Sequence, residues 1–161
     1  MKTKKTLKKS EGNSAKSIEG KLICVIRISG QVGLNRDVKE TLHRLRIRRK
    51  YSCVVLKPTK VQAGMIAKVR DFIAFGEIKK ETLSKLIEAR GQPIDKSKKI
   101  DSKKASEGIE SEKSYEDFNL RPFFRLHPPR KGIASKIHFG KGKGVLGYNG
   151  EKINDLVERM L

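Results

Sequence analysis

Seven consecutive residues, Leu22-Ile23-Cys24-Val25-Ile26-Arg27-Ile28, are apolar at every position but one. Successive side chains of a strand point to opposite faces, so a strand wetted on one side alternates apolar and polar residues. An unbroken apolar run leaves no face for water, and this segment is therefore expected at the centre of a sheet. The rest of the chain has to supply its neighbours and its cover.

The residues that follow do so in alternation. Ser29-Gly30-Gln31-Val32-Gly33 breaks the strand, and Asn35 is placed to cap a helix by accepting from the N–H groups of its first turn. Val38, Leu42 and Leu45 recur at helical spacing on one face, which leaves Arg36, Lys39 and Arg44 on others. A second strand is expected from Tyr51 to Lys57, stopped by Pro58. Thr59 is the next N-cap candidate, and the helix Val61–Arg70 would turn Val61, Met65 or Ile66, and Val69 inward. Phe72-Ile73-Ala74-Phe75 reads as a third strand ended by Gly76. A helix from Glu81 to Arg90 buries Leu83, Leu86 and Ile87, and Gly91 offers a left-handed stop. The order β-α-β-α-β plus a helix predicts an α+β fold, most economically a two-layer sandwich, over residues 21–92.

The flanking segments differ in composition. Residues 1–20 form a Lys-rich tail with little to bury, expected to be flexible when free. Residues 93–117 are almost without apolar side chains, lysines first and carboxylates after, and read as a polar linker or surface loop. Residues 118–161 form a basic C-terminal extension in which Phe118, Phe123, Phe124 and Leu126 can anchor to the core. Pro128-Pro129 and six glycines from Gly132 to Gly150 make most of it extended loop, before a short terminal helix, Glu151 to Met160, with the apolar stripe Ile153, Leu156, Val157 and Met160.

Charge narrows the function classes. Lys and Arg number 38 against 18 Asp and Glu, a formal +20 over 161 residues, and charged residues make up 35% against roughly 25% in an ordinary domain. Self-repulsion of that size is relieved by a polyanion: RNA, DNA or an anionic membrane surface. No run of about 18 apolar residues spans a bilayer, and the N-terminus lacks the apolar stretch of a secretory signal. Cys24 and Cys53 sit singly in apolar strands, as buried thiols of a reducing compartment such as the cytoplasm. His43, His127, His138 and the two cysteines have no metal-ligand spacing, and no nucleophile–base pair or apolar carboxylate dyad is present, so neither a metal, a cofactor, a small-molecule substrate nor an enzyme is expected. Gly142-Lys143-Gly144-Val145-Leu146-Gly147 matches a dinucleotide fingerprint literally, but no strong strand precedes it, no long helix follows, and no acid stands about 20 positions on. It reads better as backbone brought near phosphate, with Lys141 and Lys143 supplying charge.

The densest cations lie in Leu42–Met65: Arg44, Arg46, Arg48, Arg49 and Lys50, between a helix end and a strand. A run of cations is most often a solvated face. Here Arg outnumbers Lys, Tyr51 adjoins the run, and two ordered elements fix its ends. Arg is the better fork for phosphate and the better plane for stacking on bases. If six such cations each met a phosphate, log affinity would fall against log salt with a slope of roughly −4 to −5. A second basic stretch runs from Arg121 to Lys143 without a carboxylate: Arg121, Arg125, Arg130, Lys131, Lys136, Lys141 and Lys143, with His127 among them as a stacking or phosphate-facing residue.

From Leu45, the pattern L-x-I-x-R-R-x-Y-S-C-V-V-L, then K-P-T-K-V-Q-A-G-M-I-x-K-V through Val69, resembles the large-subunit ribosomal protein L-thirty family, whose eukaryotic members are called L-seven. Phe124-Arg125-Leu126-His127-Pro128-Pro129-Arg130-Lys131-Gly132 and Gly147-Tyr148-Asn149-Gly150-Glu151 are similar to its longer archaeal and eukaryotic branch; the short bacterial branch lacks that segment. The resemblance covers about 21–90 and 123–161. It implies a β-α-β-α-β core with a three-stranded antiparallel sheet covered by helices, ferredoxin-like in character. It implies binding to large-subunit rRNA on the cytoplasmic ribosome, contact with 5S rRNA in the longer branch, neighbouring large-subunit proteins as partners, and no catalysis. The matching cations are Arg46, Arg48, Arg49, Lys50, Lys57, Lys60, Arg125, Arg130 and Lys131. The Lys-rich tail and residues 93–117 match nothing in the family pattern. The rival expectation is a basic protein or RNA chaperone that binds nucleic acid without a fixed site.

Overall fold

The run that opened the sequence forms β1 (Ile23–Arg27), the hub of the computed structural model, which describes residues 20–97, 100–111 and 113–161. The elements that follow are α1 (Arg36–Arg44), β2 (Ser52–Leu56), α2 (Lys60–Lys68), β3 (Ile73–Glu77) and α3 (Lys80–Arg90). Then come α4 (Ser102–Glu110), β4 (Phe124–Arg125), β5 (Ser135–His138), β6 (Gly144–Tyr148) and α5 (Ile153–Met160), with 3-10 turns at Tyr115–Phe118 and Gly150–Lys152. The basic tail, up to residue 19, lies outside the described residues.

β1 pairs antiparallel with β2 on one side (Val25 opposite Val54) and with β3 on the other (Val25 opposite Phe75). The sheet does not stop at these three strands, as expected, but has six in the order β4-β2-β1-β3-β6-β5. The reason is the edges. β2 and β3 each present a row of unpaired N–H and C=O groups, and the C-terminal extension supplies partners for both. β4 lies antiparallel on β2, with Cys53 opposite Phe124, and β6 lies parallel to β3, with Phe75 opposite Tyr148. β5 then pairs with β6. The glycine-rich composition that read as loop is therefore partly strand.

Two layers also become three. Consecutive β1 side chains enter separate apolar clusters: Ile23 and Val25 pack with Leu42, Leu45, Ile47, Ala63 and Ile66, while Cys24 and Ile26 pack with Leu83, Leu86, Ile109, Leu156 and Met160. A strand apolar on both faces needs cover on both; α1 and α2 supply one layer, and α3, α4 and α5 the other. The terminal stripe Ile153, Leu156, Val157 and Met160 is core.

Several local expectations change. The side chain of Asn35 makes no capping bond, whereas Thr59 forms a full capping box with Gln62. Val61 is 68% exposed rather than inward and Ala63 buries in its place, while Ile66 and Val69 are inward as expected. Gly76 lies within β3, where a Cβ would come 2.2 Å from the carbonyl oxygen of Gly150; it is a close-approach glycine, not a stop. Gly91 is extended (φ −60°), and its glycine is explained by the Ile87 carbonyl oxygen 2.4 Å from a Cβ position. Residues 93–117 are not plain loop, because α4 presses Ala105, Gly108 and Ile109 onto the core. That stripe is narrow and two of its three residues are small, so Lys and Glu hid it.

Candidate nucleic-acid interface

The basic corner is built by a helix ending. Beyond Arg44 the chain closes α1 with two bonds, Arg46 N–H to the His43 carbonyl (2.9 Å) and Ile47 N–H to the Leu42 carbonyl (3.0 Å). This is a Schellman stop, whose left-handed position is normally glycine. Here it is Arg46, at φ 61°. A side chain held there costs on the order of 1 kcal/mol. Alternation then sets the surface: Leu45 and Ile47 are buried, and Arg46, Arg48, Arg49 and Lys50 are exposed. Tyr51, at φ 62°, is a second left-handed residue closing the corner, with the Lys50 ammonium 4.7 Å from its ring centre.

A residue that sequence reasoning left out holds this corner in place. Arg27 ends β1 at 2% exposure. Its Nε donates to the Ser29 carbonyl (3.0 Å), Nη2 to the Gly30 carbonyl (2.8 Å), and Nη1 to the carbonyls of Ile47 (3.2 Å) and Arg48. Gln31 Nε2 also donates to the Arg48 carbonyl (2.8 Å). Burial pulls the Arg27 guanidinium below its ordinary pKa, and backbone carbonyls, not a carboxylate, compensate it. The signal was available: a lone charge in an apolar strand has to find partners.

Two clefts flank the corner and share His43 and Arg48. One, about 430 Å³, lies between α1 and the 27–31 segment and is lined by Arg27, Gln31, Arg36, Lys39 and Glu40, the last paired with Arg44. The other, about 400 Å³, joins the corner to the C-terminal extension: Arg46, Arg48 and Arg49 face Arg121, Phe123 and Arg125. Among the described residues no carboxylate lines this second cleft. β4 pairing on β2 is what brings Arg125 and its neighbours, more than 70 residues away in sequence, to the corner. The Arg125 guanidinium carbon sits 5.8 Å from the Phe123 ring centre.

Other expected residues lie elsewhere. Arg44 is engaged by Glu40 at 2.6 Å and lines a groove by β2 instead. Lys57 and Lys60 flank the β2–α2 turn and line neither basic cleft. His127, Arg130 and Lys131 are exposed on a turn after β4, where Arg159, a second residue missed in the sequence, donates to the carbonyls of Arg130 (2.9 Å) and Gly132 (2.6 Å). Lys136 on β5, and Lys141 and Lys143 on the β5–β6 turn, occupy the far edge of the sheet. Five inter-strand steps separate β4 from β5, roughly 24 Å, so these lysines do not extend the corner directly. Among the described residues no His, Cys, Asp and Glu cluster could hold a metal ion, and no helix is long and apolar enough to cross a membrane.

The family model described as ribosomal protein L30p/L7e matches residues 23–73, from β1 to the start of β3. The large ribosomal subunit protein uL30 of Archaeoglobus fulgidus is 39% identical over 153 residues, 86% of this chain and 99% of that protein. Those named alike in Nanoarchaeum equitans and Methanoculleus marisnigri are each 37% identical, over 87% and 86% of this chain and 99% of either relative. The chain belongs to the ribosomal protein L30p/L7e family. Its similarity to these archaeal L30p/L7e relatives runs through the C-terminal extension as well as the core, so the segment that completes the second cleft lies within the shared length.

Proposed function

We propose that this chain is a structural constituent of the large ribosomal subunit, which binds large-subunit rRNA through positioned Arg and Lys side chains and supports translation without catalysing a step. The observation that carries the reading is the convergence of Arg46, Arg48 and Arg49 with Arg121 and Arg125 around a cleft that no carboxylate of the described residues lines. Like charges brought together by a fold are unfavourable until an anion joins them. The relatives named large ribosomal subunit protein make rRNA the anion to favour over DNA or lipid. In this reading the protein works on the cytoplasmic ribosome beside neighbouring large-subunit proteins, and its core is ferredoxin-like in character. The exposed cations Arg36, Lys39, Lys50, Lys60, Arg130, Lys131, Lys136, Lys141 and Lys143 add phosphate contacts around the two clefts and along the far edge. Contact with 5S rRNA belongs to the same proposal, supported by the resemblance of the C-terminal block to the longer branch.

Sedimentation through a sucrose gradient at moderate salt tests this. Co-migration with large subunits is expected, and recovery only in the free fraction would overturn the reading. Competition with excess bulk DNA separates it from a basic protein without a fixed site, which would be displaced as readily by DNA as by rRNA.

A further inference from the structure

We propose that the cleft between the corner and the 121–125 segment takes one unpaired nucleotide of the bound RNA. The base lies against the Phe123 ring and the guanidinium planes, and its phosphate sits among Arg46, Arg48, Arg49 and Arg121. This rests on the RNA-binding reading above and adds what the RNA must present.

Contact with duplex phosphates needs only a charged surface. This cleft has more than that. It is concave, about 400 Å³, in the range that takes one small organic group. It also contains an aromatic ring. Phe123 is half-buried and packs against the cluster formed by Ile23, Leu45 and Val54, so its ring is held, while Arg125 supplies a second plane beside it. Aromatic rings and guanidinium planes are what splayed-out bases stack on, and bases inside an A-form helix cannot reach them. Arg46 stands where glycine would relieve the backbone, which is strain kept for the direction in which its side chain is aimed. The neighbouring cleft, of about 430 Å³ between α1 and the 27–31 segment, favours a nucleotide within RNA over a free one. It opens on the other side of the shared His43 and Arg48, with Arg36 and Lys39 placed for the next phosphates along a strand. A free nucleotide has no use for that continuation.

The test compares two RNA hairpins, identical except for one unpaired adenosine in the stem, titrated against the full chain by filter binding at fixed salt. The bulged hairpin is expected to bind roughly tenfold more tightly, the size of one base–aromatic stack. Phe123→Leu, which keeps the apolar packing without the ring, should bring the ratio of the two hairpin affinities close to one. Phe123→Trp should retain it. Equal binding of the two hairpins overturns the nucleotide cleft and leaves the RNA-binding reading standing. A preference that survives in Phe123→Leu also overturns it. If neither hairpin binds even at low salt, both readings fall.

Discussion

The two edges of the sheet both end in cations, and they are built in opposite ways. At the β4 edge the charges are arginines on a short corner whose backbone is gripped by Arg27 and Gln31 and closed by two left-handed residues. At the β5 edge they are lysines on a strand and a glycine-rich turn, secured by His138 Nε2 against Asp71 Oδ1 at 2.7 Å and by Lys152 over the Phe139 ring at 5.5 Å. The corner cleft has five arginines and the far edge three lysines, and the two sets differ as much in how their backbone is held as in number. Fixing a free Lys or Arg side chain costs up to about 2 kcal/mol of rotamer freedom. A cation whose backbone is already placed retains more of its attraction for phosphate. The comparison teaches that position, more than the +20 total, divides a site from a basic surface.

The largest effect should come from Arg27→Met. Four carbonyls lose the Arg27 donor and only that of Arg48 keeps another, from Gln31, at a cost of about 3 kcal/mol after the relief of burying no charge. The melting temperature should fall by roughly 6–12 °C, with a loss of RNA affinity even well below that temperature; a melt within about 2 °C of wild type would show that the clamp does not hold the corner. Gly76→Ala, on the side of the far edge, drives a Cβ against the Gly150 carbonyl. It should cost about 2 kcal/mol but leave the affinity of the folded protein unchanged, as read by titration well below its melt. Together the two variants separate stability from site.

Arg46→Gly should move the two properties in opposite directions. Removing the side chain from a left-handed position should raise stability by about 1 kcal/mol, while RNA affinity falls several-fold for a lost phosphate contact. Equal or improved affinity would mean that Arg46 is strain without purpose. The smallest effect concerns Glu77 on β3, which accepts from Lys21 (2.8 Å) and Tyr148 (3.0 Å). These bonds, the one from Lys21 foremost, hold its carboxyl below the ordinary value. A carboxylate depressed in the fold stabilises above its unfolded pKa and loses that contribution as pH falls through the folded one. Glu77→Gln should therefore melt slightly lower than wild type at pH 7, by less than about 1 kcal/mol of stability, and the gap should narrow and then close as pH falls below the ordinary carboxylate range. A gap independent of pH would remove the ion pair from the account.

Much of this was legible in the sequence. β1, β2 and β3, the N-cap at Thr59 and the cationic corner follow from apolar runs, turn residues and charge spacing, which are local. The helix α4 and the outer strands were not. Lys and Glu mask the Ala105–Ile109 stripe, and β4 is two residues long, too short for any periodicity. Pairing of β4 is long-range, so the meeting of Arg121 and Arg125 with Arg48 had no local signature. The far-edge lysines were grouped with the corner because charge sums along the chain, whereas the sheet order separates them. Arg27 was passed over because one charge in an apolar run looks like an interruption rather than a hub.

Two charge-matched reversals test the central claim most directly: Arg48→Glu with Arg49→Glu at the corner, and Lys141→Glu with Lys143→Glu at the far edge. Each changes the net charge equally, so their affinities for large-subunit rRNA at one salt concentration differ only through position. The corner pair should lose about a hundredfold or more and the far-edge pair less than about tenfold, with both proteins folded by circular dichroism. Equal losses would mean that total charge, not the held corner, binds the RNA.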